Sequence, residues 1–115
     1  MADGNTAATD QKAQLLSALF TQLGAIGEAL ADLATKVGDP DFDQTEVDDL
    51  VLDKAKVKAR IAAVTSDIDK TFPGDAEIKA LTDACNDLAH LDAVTASFVD
   101  IMTKAQAVLV AVPIP

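Results

Sequence analysis

The stretch CNDLAHLD, Cys85 to Asp92, gathers residue types that bind metals and move protons: a thiol, an imidazole and two carboxylates within eight positions. Zinc needs three or four such ligands converging on one point. On a helix Cys85 and His90 are five positions apart and leave on different faces. They are also the only cysteine and the only histidine in the chain, so neither a C-x-x-C pair nor a second imidazole completes a site. The acidic runs DPDFD, from Asp39, and EVDDL, from Glu46, have the ligand type for calcium. They lack the central glycine and closing glutamate of a calcium loop, and Asp48 and Asp49 read instead as favourable charge in the first turn of a helix. No G-x-S-x-G, P-loop, H-E-x-x-H or dinucleotide fingerprint occurs. The sequence thus leads to the expectation of no catalytic residue, no metal, no cofactor and no enzymatic activity.

Composition narrows the alternatives. The chain has 115 residues, enough for one domain with its own core. Half of the residues are apolar but only 3 % are aromatic, so the core must be built from small and aliphatic side chains, a supply suited to closely packed helices. The net charge of -10 argues against nucleic acid and, at neutral pH, against anionic membrane, because both select clusters of lysine and arginine. It favours a basic surface on any protein partner. A lone cysteine, no signal-peptide pattern and no long apolar run lead to the expectation of a cytoplasmic protein.

Elements that would carry these residues follow from the punctuation. Turn residues cluster in VGDPDFDQT, from Val37, and TFPGD, from Thr71, and divide the chain into three segments. In the first, Leu16, Leu19, Leu23, Ile26, Leu30, Leu33 and Val37 recur at alternating steps of three and four. The second runs through Val47, Leu50, Lys54, Val57, Ile61, Val64 and Ile68 in the same way. The third begins Ile78, Leu81, Cys85 and Leu88, meets Asp92 in strict heptad phase, and resumes through Leu91, Thr95, Phe98 and Met102 after a three-residue step, which reads as a stammer. These patterns predict an all-α, elongated, up-down-up three-helix bundle with coiled-coil-like heptad packing and a longer third helix. Residues 1–8 are expected to be disordered and residues 9–115 to form a single domain.

Residues equally far from a tight turn face one another in such a bundle. That rule sets Lys54 level with Asp92, and the pair is expected to form a polar layer that fixes register. Gly24 and Gly27 fall at the same level. The rule also leaves everything beyond about Thr103 overhanging the bundle. The segment KAQAVLVAVPIP would then present Val108, Leu109, Val112 and Ile114, covered either by the loop that carries Phe42 or by another chain. Self-association is the economical form of the second case.

The resulting functional expectation is a non-enzymatic helical interaction module, such as an adaptor, chaperone-like factor, inhibitor, immunity-like factor or structural subunit. It would use its acidic surface and its apolar C-terminal segment. The alternative is a carrier of a small apolar ligand held between helices near Gly24, Gly27 and Asp92.

Overall fold

The structure, a computed structural model, describes residues 3–92 and 94–114. Among them the chain forms four helices: α1 (Asp3–Ala34), α2 (Gln44–Thr65), α3 (Asp75–Ala89) and α4 (Phe98–Ala111). The three-helix bundle expected from the heptads is therefore incorrect. Its long third helix is two short ones, folded back on each other through residues 90–97. Of the segment 1–8 expected to be disordered, Met1 and Ala2 lie outside the described residues, and 3–8 make the first turns of α1.

The break falls where the apolar stripe loses phase. Asp92 lies beyond the end of α3, and its carboxylate accepts the Val94 N–H at 2.9 Å, a local turn that competes with helix. Ser97 then starts α4 with a capping box. Its hydroxyl accepts the Asp100 N–H, and the Asp100 carboxylate accepts the Ser97 N–H. A second carboxylate joins from the end of the first turn region: Asp39 accepts the Phe98 N–H at 3.1 Å. Together these satisfy donors that the first turn of a helix leaves orphaned. A phase slip and a serine three residues before an acid were thus a chain reversal, not a coiled-coil defect.

The first two helices follow the sequence more closely. α1 buries Leu15, Leu19, Gln22, Ile26 and Leu33 along one stripe. α2 buries Leu50, Val57, Arg60 and Val64. Asp43 caps α2, accepting the Thr45 N–H. At its far end Asp67 takes up a left-handed conformation with φ of 60°, which an aspartate tolerates better than most residues and which terminates the helix. α1 and α2 are antiparallel, with Lys12 paired to Asp67 at 2.8 Å at one end.

α1 packs against all three other helices, and α3 against α4. α4 runs antiparallel to α1, from Asp39 beside Phe98 to Gln22 beside Val108. The principal extents are 60 × 23 × 16 Å.

Candidate interaction surface

The expected polar layer does not form. Lys54 is half-buried beside Gly27, its Nζ 3.8 Å from where a Cβ on that glycine would sit, while Asp92 is exposed in the α3–α4 turn. No ion pair joins them among the described residues, because Asp92 is not on a helix at all. The overhang is also absent. With α4 folded back, Val108 and Val112 are buried in the core of the single chain and Leu109 and Ile114 are half-buried. Phe42 does not cover that segment; its ring packs on Phe98, at the opposite end of α4, with centroids 5.1 Å apart and planes tilted by 57°. His90 sets Nδ1 2.6 Å from the Asn86 carbonyl oxygen, and burial together with Glu28 raises the pKa of the half-buried Cys85 thiol. Among the described residues no group of three or more His, Cys, Asp or Glu could hold a metal ion.

What holds the segment in place is a different pair of polar side chains. Gln22 is fully buried, and its amide donates to the carbonyls of Val108, Leu109 and Val112 at 3.1, 3.2 and 2.9 Å. The last carbonyls of a helix have no intrahelical donor, and Pro113 removes the N–H that Leu109 would otherwise receive. Gln22 supplies donors where the sequence deletes one. Its own Oε1 is buried with no protein partner.

Arg60 is 6 % exposed. Its Nε donates to Asp69 Oδ2 at 2.8 Å, one terminal nitrogen to the Thr71 carbonyl at 3.3 Å and the other to the Pro113 carbonyl. One guanidinium thus joins α2, the loop before α3 and the chain after α4. Burial pushes the Asp69 carboxyl upward, but the Thr71 amide and the Arg60 guanidinium outweigh it and hold the pKa below the usual carboxylate value.

Above this fixed floor, α4 stands between two open grooves. The groove against α3 has a volume of about 650 Å³. Ala80, Ala84, Ala107 and Ala111 line it together with Glu77, Asp83 and Asp87 on the α3 side and Lys104 on the α4 side, Asp83 being paired to Lys79 at 2.8 Å. The groove against α2 is smaller, about 320 Å³, with Leu109, Val110, Pro113 and Ile114 on one side and Asp53 and Lys56 on the other. Val110 lines both and is 72 % exposed. The residues singled out in the sequence therefore divide: Val108 and Val112 anchor, whereas Leu109 and Ile114 line a groove.

Sequence reasoning missed a further surface. The outward face of α2 carries Leu52, 60 % exposed, followed by exposed Ala55, Ala59 and Ala62 at steps of three, four and three. Exposed Lys56 and Lys58 flank that strip on either side. The signal was a second heptad stripe in the same helix, weaker than the buried one because three of its four members are alanine. No helix among the described residues is long and apolar enough to cross a membrane. Comparison with protein families, characterised proteins and solved structures gives no match to this chain.

Proposed function

We propose that the protein acts by binding rather than by catalysis, as a helical interaction module that presents the outward flank of α4 and its two grooves to a protein partner. The observation that supports this reading is Val110: a branched side chain, largely exposed, between two apolar grooves, on a helix whose end is fixed by Gln22 and Arg60. Apolar surface on a rigid, preorganised element loses little conformational entropy on binding, and this favours recognition. The carboxylates around the α3–α4 groove favour a partner with basic flanks.

The test is site-specific photo-crosslinking in native lysate from a residue replacing Val110, with the same crosslinker at exposed Lys70 as control. A discrete protein adduct from position 110, absent from position 70, supports the module. Equal labelling from both positions overturns it. Native mass spectrometry of the purified protein separates the carrier alternative, because a carrier retains the mass of a small molecule.

A further inference from the structure

The acids and the bases of α2 occupy separate halves of the helix. Residues 44–53 carry Glu46, Asp48, Asp49 and Asp53 with no base, and residues 54–65 carry Lys54, Lys56, Lys58 and Arg60 with no acid. The helix dipole favours the acids at the N-terminal end, but the last turn holds no base, so the cations sit where the dipole does little for them. Lys54 and Arg60 face inward, beside Gly27 and onto Asp69, whereas Lys56 and Lys58 face out. Lys56 Nζ lies 3.9 Å from Asp53 with 64 % of its side chain exposed, a surface contact too weak to hold the ammonium in place. Between Lys56 and Lys58 runs an exposed, unpartnered stripe of Asp48, Leu52, Ala55, Ala59 and Ala62, at alternating steps of four and three.

A helix divided in this way is complementary to itself when reversed. With a twofold axis at the level of Asp53 and Lys54, Leu52 lands on Ala55 of the second copy. Asp49 and Lys56 both stand on the edge of α2 that faces α4, seven residues apart. Antiparallel pairing therefore sets each against the other's counterpart across the axis, as flanking charges do in a coiled coil. On the opposite edge the aliphatic stem of Lys58 covers Val51 of the second copy, which is 49 % exposed. Asp48, at the outer end of the stripe, stays in solvent beside the second copy's Lys58.

We propose that the outward face of α2 is a homodimer contact, in which α2 of a second copy packs antiparallel about a twofold axis and places two symmetric Asp49–Lys56 ion pairs beside a seam of Leu52 and alanines. This face is distinct from the α4 surface assigned above to a different protein. The contact is isologous, so the same surface is covered on both copies and assembly closes at two. Alanine lets the two backbones approach closely. Four acids and four bases make α2 neutral, so the acidity of the rest of the chain opposes the pair only from a distance, where salt screens it. A seam with one leucine per copy buries less than a standard interface, so the dissociation constant belongs at about 100 µM.

The experiment uses the full chain with Asp49→Lys, with Lys56→Glu and with both, circular dichroism verifying that each remains folded. Sedimentation velocity up to about 500 µM should show wild type passing from monomer to dimer and no further. Each single variant should dimerise about tenfold more weakly, since two attractive pairs become two repulsive ones. For Asp49→Lys that direction opposes the change in net charge, which becomes less negative and would alone favour association. An equimolar mixture of the single variants should regain the dimer as a heterodimer, and the double variant should regain it by itself, because each restores opposite charges across the axis. Monomeric wild type, assembly beyond a dimer, single variants that associate like wild type, or failure of the mixture or of the double variant to recover each overturn the proposal. Should wild type be monomeric while Val110 still crosslinks to another protein, the homodimer falls and the module reading stands.

Discussion

Gln22 and Arg60 show how a residue chosen against apolar periodicity can be the one that fixes a fold. Removing one partner of a buried ion pair strands the other, at about 3 kcal/mol, whereas replacing both by apolar groups costs less. Arg60→Met should therefore lower stability in urea more than the double variant Arg60→Met/Asp69→Leu. The pair also sets an acid limb. Asp69 has a lowered pKa in the folded chain, so its contribution is fully present above the unfolded value near 3.8 and is lost as pH falls through the lower folded value. Wild type should lose its advantage over Asp69→Asn across that window, as measured by thermal melts. Gln22→Glu replaces donors with a carboxylate facing the three carbonyls of Val108, Leu109 and Val112. It should be more destabilising at pH 7 than Gln22→Leu and should recover as pH falls, since protonation restores one donor. If melts of Gln22→Glu are flat with pH, the carbonyls are not what the amide serves.

At the scale of the helices, α4 exists as a separate element because Ser97, Asp100 and Asp39 satisfy its first amides. Ser97→Ala should cost about 1 kcal/mol, read from denaturant unfolding, with Ser97→Asp restoring it; no loss in the alanine variant would show that Asp39 alone supports the start of the helix. The same element marks how far the sequence could be read. α1 and α2 were legible because their stripes are long and end in Gly, Pro and Asp clusters, and the antiparallel register between them held, as Lys12 with Asp67 and Gly27 with Lys54 show. The reversal at residues 90–97 carries neither Gly nor Pro, so the familiar breakers were silent and the capping pattern SFVD was the remaining signal. The misplaced tail followed from that one omission. Gln22 and Arg60 were invisible for another reason: all the partners of Gln22 and two of the three of Arg60 are backbone carbonyls, which have no letter in a sequence, and the third, Asp69, lies in the loop outside any stripe.

For the molecule as a whole, the position of α1 against every other helix has a consequence in time. Lifting α2 away breaks its packing on α1 and the bonds of Arg60, yet leaves α3 and α4 seated on α1. Opening the α3–α4 hairpin likewise leaves α2 in place. Neither partial opening exposes all of α1, so its central amides must wait for the cooperative loss of the entire fold, while outward amides elsewhere are released by smaller fluctuations. Hydrogen exchange should rank residues 15–33 slowest and α2 faster. Equal protection of α1 and α2 would mean that the chain opens as a single unit. If the ranking holds, a partner that grips α2 gains an additional lever. By slowing the escape of that one helix it would lengthen the lifetime of the least persistent part of the molecule without altering the slowest clock, which α1 keeps.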